Sequence, residues 1–232
     1  MGLLKPRDAE AVQKRLASDL EGPVTIRFFT NSTGGLQIPG TECEYCPTTY
    51  QLLSEVASLG SRISLEVYNI LTDPESARKY GVERIPAIIL SRDNGSGVRF
   101  YGIPAGFEFA VLLDDLIDVS RGRTSLSERT KAALASLEKD VHIQVFVTPT
   151  CPYCPKASRI AHAMAIESPR VRADVVEAME FPMLAERYNV YGVPKVVINE
   201  TTSFEGAVPE DVFLDYVLAA ASMELLDEGK RE

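Results

Sequence analysis

Hydrophobic and polar positions follow two rhythms along this chain, and each rhythm recurs in the same order in both halves. Val12, Leu16 and Leu20 fall every fourth residue, which predicts a helix over residues 9–20, ended by Glu21-Gly22-Pro23. Residues 24–30 form an apolar run that predicts a buried strand, and residues 31–42, rich in Gly, Ser and Thr, predict a loop. Leu52, Leu53, Val56 and Leu59 share one face of a helix expected over 43–59. A strand over 62–69, a short helix over 73–80 opened by Asp73-Pro74, and a strand over 86–90 follow. Asp93-Asn94-Gly95 signals a hairpin, so 98–101 is expected antiparallel to the strand before it, and an amphipathic helix over 107–120 closes the half.

The order then begins again. It comprises a helix over 127–140 capped by Ser127, a strand over 141–147, a helix over 151–166, a strand over 171–176 and a helix over 180–188. Strands 194–198 and 203–205 make a hairpin, and the last helix runs over 209–225. The stretch 120–127 is polar, and the boundary is placed there, giving units 1–120 and 121–232. Each half reads helix-strand-helix-strand-helix-strand-strand-helix, an α/β unit with a mixed central β-sheet flanked by helices.

With 232 residues and 45% hydrophobic composition, the chain can bury two cores of ordinary domain size. A net charge of -9 without a Lys/Arg cluster excludes a nucleic-acid partner. No signal-peptide pattern and no membrane-length apolar run occur, so the expectation is a soluble, cytoplasmic protein with no membrane partner. Asn and Gln together number nine, which leans towards a heat-adapted source.

All four cysteines lie in two CxxC pairs, Cys43-Glu44-Tyr45-Cys46 and Cys151-Pro152-Tyr153-Cys154, offset by 108 residues. Forty residues after the second cysteine of each pair stands Ile85-Pro86 or Val193-Pro194, opening a strand, so the offset survives at a second marker. In a reducing compartment such pairs are redox-active or metal-binding more often than structural.

This arrangement, with a strand, CxxC at a helix start and then a proline opening a later hairpin strand, resembles the thioredoxin fold, present twice from about residue 9 to 225. Cys151-Pro152-Tyr153-Cys154 matches the glutaredoxin motif, and the tandem chain is similar to the glutaredoxin-like protein disulfide oxidoreductases of hyperthermophiles. The resemblance implies cis peptides at Ile85-Pro86 and Val193-Pro194, with these four residues forming the ledge that binds an extended substrate. It also implies an NADPH-dependent flavin reductase as electron donor and a more active second site. The chain departs from thioredoxin itself in lacking Trp and in carrying Val145 where that family's buried acid would fall, six residues before Cys151.

A cysteine in the first helical turn meets unpaired N–H groups and the positive end of the dipole, both favouring thiolate. Cys43 and Cys151 are therefore expected to attack, and Cys46 and Cys154, about 5 Å away between Cα atoms, to resolve the mixed disulfide. As stability staples the pairs would do little, because the loops they close are too short for a large entropic effect. Zinc sites usually pair two CxxC motifs across about 15 to 20 residues, whereas 104 separate Cys46 from Cys151. Glu42 and Glu44 flank Cys43, while Cys151 has neutral neighbours with Lys156 and Arg159 beyond, so Cys151 should be the stronger nucleophile. His142 and His162 are expected to be packed or solvated rather than catalytic. Tyr45 and Tyr153 either touch substrate or cover the sulfurs. No GxGxxG follows a strand, so no nucleotide or flavin cofactor is expected, and no metal. The expected function is an enzyme, a thiol-disulfide oxidoreductase that reduces, forms or isomerises disulfides in partner proteins. The alternatives are a dedicated electron carrier to a peroxidase or reductase, and a non-catalytic zinc-binding or chaperone-like module.

Overall fold

The computed structural model describes residues 2–31, 43–92 and 97–228, apart from the side chains of 223–228. The expected loop over 32–42 and the turn at Asp93-Asn94-Gly95 lie outside the described residues. The elements are α1 (Pro6–Asp19), β1 (Val24–Thr30), α2 (Cys46–Leu59), β2 (Ile63–Asn69), α3 (Pro74–Lys79), β3 (Ala87–Ser91), β4 (Val98–Tyr101) and α4 (Glu108–Arg121), and then α5 (Glu128–Ala135), β5 (Val141–Val147), α6 (Cys154–Glu167), β6 (Val171–Glu177), α7 (Pro182–Arg187), β7 (Lys195–Ile198), β8 (Thr202–Glu205) and α8 (Glu210–Glu228).

Every expected element is present, and the differences in length have local causes. α2 and α6 begin at the second cysteine of each pair, three residues later than expected, with Tyr45 and Tyr153 as N-caps. Pro47 and Pro155 explain this, because proline has no N–H to give to an i−4 carbonyl and fits only the first helical turn. α5 stops at Ala135 rather than 140, where the Ser136 hydroxyl donates to the Ala133 carbonyl and takes a helix-end acceptor. Ser127 caps α5 as expected, accepting from Thr130 N at 3.3 Å, and Asp73 caps α3 by accepting from Ser76 N at 3.0 Å.

The sheets of the two halves join into one eight-stranded sheet, ordered β2-β1-β3-β4-β6-β5-β7-β8. Within each half the order is the same, and the junction is the parallel pairing of β4 with β6, Val98 opposite Ala173 through Tyr101 opposite Val176. β1, β2, β4, β5 and β6 all run the same way, so the carboxyl ends of β1 and β5, where the two CxxC segments begin, lie along one edge. One face of the sheet packs against α1, α2, α4, α5, α6 and α8 in a single apolar cluster that runs through both halves, from Val12 and Leu53 to Met164 and Phe213. The other face is covered by α3 and α7 over Phe29, Tyr101, Phe146 and Leu184. Rather than two separate cores, the chain has one continuous main core. β1 and β5 are buried on both faces, which accounts for their near-continuous apolar character. Among the described residues no helix is long and apolar enough to cross a membrane.

Gly97 sits at the junction, its carbonyl accepting from Ala173 N at 2.7 Å. A Cβ there would collide with the Val171 carbonyl oxygen. Gly97→Ala is therefore expected to lower stability by about 1–3 kcal/mol, the usual range for overpacking. Thermal unfolding checks this, at roughly 2–4 °C of melting temperature per kcal/mol for a chain of this size; an unchanged melting temperature would show that the junction can open freely.

Candidate active site

β5 delivers Thr148-Pro149-Thr150 to Cys151, which stands in the turn before α6 rather than in its first turn. Cys151 therefore lies outside the helix, yet the helix start still reaches it, because the Cys154 N–H points at Cys151 Sγ at 3.1 Å. At the first pair the Cys46 N–H bonds the Cys43 carbonyl oxygen instead, at 3.3 Å. Both pairs are closed as disulfides, with Cα separations of 5.4 Å for Cys43–Cys46 and 5.5 Å for Cys151–Cys154. Cys151 is 7% exposed and Cys154 fully buried, so an incoming sulfur can reach only the first of the two. Cys43 is half-buried and Cys46 buried, the same ordering.

Ile85-Pro86 and Val193-Pro194 are both cis. The Val193 carbonyl oxygen lies 3.6 Å from Cys151 Sγ, so the loop before β7 forms one wall of the second pair. Tyr153 is exposed beside it.

The two cations expected to assist Cys151 are engaged elsewhere. Arg159 is held by α4, its guanidinium paired with Asp115 and Asp118 and within 3.5 Å of Asp114. Lys156 Nζ donates to the Ala207 carbonyl at 3.3 Å. Neither cation is therefore placed to act on Cys151, and the group that points at its sulfur is the Cys154 N–H. Asp115 also faces His162 Nδ1 at 2.6 Å, and His162 Nε2 donates to the Arg99 carbonyl at 3.0 Å, so this fully buried histidine is a packed member of the α4–α6 interface. His142 is held by Asp174 at 2.7 Å on the sheet. Burial would raise the Asp174 carboxyl, but hydrogen bonds from His142 and Arg172 outweigh it and hold the pKa at about 2.

Sequence reading missed a buried acid next to the second pair, because the acid comes from the other half of the chain. Glu108, the first residue of α4, is buried, and burial pushes its carboxyl up to about 7 despite the opposing influence of Ser158 and His162. Neither of its oxygens completes a hydrogen bond. Ser158 lies one helical turn beyond Cys154, on the same side of α6. The start of α4 is fastened to the approach to Cys151, with Phe107 N donating to the Pro149 carbonyl at 3.0 Å. Gly106, at φ +60°, allows that contact, since a Cβ there would strike Pro149. The one signal in the sequence was an acidic residue, followed by Asp115, on the apolar face that Leu112 and Leu116 define.

The first pair also receives an acid from across the junction. Glu180, from the β6–α7 connection, accepts from Ile103 N at 2.7 Å. Burial, with added repulsion from Glu177 and Glu44, raises its carboxyl to about 7. Glu44 sits between Cys43 and Cys46, so the first pair carries an acid inside the motif itself, where the second has Pro152. Among the described residues no cluster of three or more His, Cys, Asp or Glu could hold a metal.

Comparison with known proteins agrees with this geometry. The thioredoxin domain family matches residues 35–112 and again 141–219. A protein disulfide oxidoreductase from Aeropyrum pernix K1 superimposes with a TM-score of 0.84 at 33% identity, covering 94% of each chain. The alkylhydroperoxide reductase AhpF from Enterococcus faecalis has the same fold, at 24% identity and a TM-score of 0.82, over 92% of this chain and 99% of that one. An NADH dehydrogenase of Bacillus subtilis is 24% identical over 165 residues, 71% of this chain. The chain spans only 30% of that relative's length.

Ionisation of Glu108 gives a stability test. Its carboxyl ionises at about 7 when folded and near the ordinary value, about 4.3, when unfolded. The folded state is therefore favoured at low pH, and that advantage is lost as pH rises from about 4.3 to about 7. Glu108→Gln cannot ionise, so its melting temperature relative to wild type is expected to rise across that window, by the equivalent of on the order of 3 kcal/mol. A difference independent of pH would mean that Glu108 is not held neutral.

Proposed function

Because the chain belongs to the thioredoxin domain family, with one such domain in each half, we propose that its two CxxC pairs work as separate dithiol-disulfide centres acting on partner proteins, one in the unit 1–120 and one in 121–232. The chain has the fold of a protein disulfide oxidoreductase, and the observation that carries the reading is the Cys151–Cys154 pair, with one residue slightly exposed and the other fully buried.

In the reducing direction the Cys151 thiolate attacks one sulfur of a substrate disulfide. A new S–S bond forms as the substrate's bond breaks, and the departing thiolate takes up a proton. Cys154 then loses its proton and attacks Cys151 Sγ. The second substrate thiolate leaves, the intramolecular disulfide remains, and two electrons have passed to the substrate. Glu108, half ionised near neutral pH and beside Ser158, the residue one turn beyond Cys154, is suited to receive the Cys154 proton. Pro194 and Val193, like Pro86 and Ile85 at the first pair, line the side on which substrate backbone would lie. Oxidation runs the same steps in reverse, and in isomerisation another substrate thiolate displaces Cys151 from the mixed disulfide, with no net transfer of electrons.

A flavin reductase drawing on a pyridine nucleotide, NADPH in our reading, is the proposed donor. The relatives support a partner of that class, since an NADH dehydrogenase and an alkyl hydroperoxide reductase carry a matching segment. The same relatives keep a dedicated electron carrier as the second reading. Reduction of insulin with dithiothreitol separates the two, because a dedicated carrier would leave insulin nearly untouched.

The two centres should be unequal. Cys151→Ser is expected to remove most insulin turnover, at least tenfold, and Cys43→Ser to leave the larger part of it. Alkylation rates measured against pH in the two variants should place the Cys151 midpoint below that of Cys43. Equal midpoints, or a greater loss in Cys43→Ser, would refute the assignment.

A further inference from the structure

The turns behind Pro86 and Pro194 are built alike in the two halves. Gly102 N donates to the Pro86 carbonyl at 2.9 Å and Gly206 N to the Pro194 carbonyl at 2.8 Å, and both glycines have positive φ, +93° and +86°. What stands beyond the turn differs. A Cβ at Gly206 would have no heavy atom within 4 Å, whereas one at Gly102 would strike Glu177 Cβ at 2.7 Å and Glu180 Oε1 at 2.9 Å. The β6–α7 connection of the second half fills the space behind Pro86, and the matching place behind Pro194 is open. Sheet order explains the asymmetry, since β6 adjoins β4 of the first half while β2, its counterpart, is an outer strand with no further unit beside it.

Glu180 makes the contact. It accepts from Ile103 N at 2.7 Å, one residue beyond the glycine bonded to Pro86, and its own N–H donates to Glu177 Oε2 at 2.7 Å. One oxygen of each carboxyl, Glu180 Oε2 and Glu177 Oε1, is buried without a hydrogen-bond partner. A buried oxygen left unpaired is a cost to stability, so packing alone gives no reason for two acids at this place. The charged groups that face Glu180 are Glu177 at the end of β6 and Glu44 in the turn between Cys43 and Cys46. Burial pushes the Glu180 carboxyl up to about 7, with repulsion from those two acids adding to it and the hydrogen bond from Ile103 opposing. Below that pH the group is largely neutral; above it, where thiols begin to ionise, it is charged.

We propose that Glu180 is a positioning residue of the first dithiol, supplied by the second half of the chain: held behind Pro86 by Ile103, it sets a negative charge against Glu44 that restrains thiolate formation at Cys43. This rests on the oxidoreductase reading above and gives the weaker nucleophile a cause that its own half does not contain. A like charge nearby disfavours the ionised sulfur, and Glu44, adjacent to Cys43 in the chain, already contributes one. Glu180 adds a second only after it has lost its proton, so the restraint on Cys43 grows as pH rises through about 7.

The test uses the full chain carrying Cys151→Ser, reduced and freed of reductant, and follows the rate at which iodoacetamide alkylates Cys43 against pH. Glu180→Gln keeps an oxygen for the Ile103 N–H and removes the charge. Its Cys43 midpoint should fall by the equivalent of about threefold in the thiol's ionisation constant, a modest size suited to a like charge in partly solvated surroundings. Glu180→Ala, which also loses the bond to Ile103, should give the same fall. In a Cys43→Ser chain, Glu180→Gln should leave the Cys151 midpoint where it was. An unchanged Cys43 midpoint in Glu180→Gln, a fall in Glu180→Ala alone, or an equal fall at Cys151 would each overturn the assignment. All three would leave the oxidoreductase reading intact, because alkylation requires no turnover of a disulfide substrate.

Discussion

The parallel pairing of β4 with β6 is the constraint on which the other features depend. It turns two four-stranded sheets into one and sets all the CxxC-bearing strands pointing at a common edge. With the strands joined, α4 of the first half and α6 of the second pack side by side on the same face. Neither helix could meet the other in an isolated unit. The close approach needs Gly97 at the seam and Gly106 at the start of α4, two positions where a Cβ would strike a backbone carbonyl.

That contact brings charge into the interior, and the charges are treated unequally. Asp115 is fully buried but shared between Arg159 and His162, so its desolvation is offset by partners on α6. Glu108, a little under two turns earlier on α4, has no such partner and stays largely neutral up to about pH 7. The raised pKa of this carboxyl, beside Ser158 on α6, comes from its environment rather than from its residue type. Arg159 in turn cannot serve Cys151, because the aspartates of α4 already hold it.

The backbone repeats at the two sites while the side chains around them have diverged. Cα spacing, the order of burial and the cis proline are the same at both pairs. What differs surrounds them. Glu44 and Glu180 stand by the first pair, and Met179 and Tyr191 line a depression by the second. The geometry that two sulfurs require is thus the same in both halves, while the neighbouring positions that no disulfide geometry restricts differ in charge and polarity.

The amino-acid sequence by itself determined the α/β units, their tandem repeat, the four cysteines and the two prolines. Those depend on local periodicity and on spacing along the chain, which survive without knowledge of what packs against what. The start of each CxxC helix was placed three residues early, at Cys43 and Cys151, although Pro47 and Pro155 carry a local signal for the later start. Only the tertiary structure decided that the sheets merge, that Glu108 and Glu180 each cross to the other half's dithiol, and that Arg159 is neutralised. These are contacts between residues 44 to 136 positions apart in the chain. No helical or strand period links such positions, and only the β4–β6 junction brings them together.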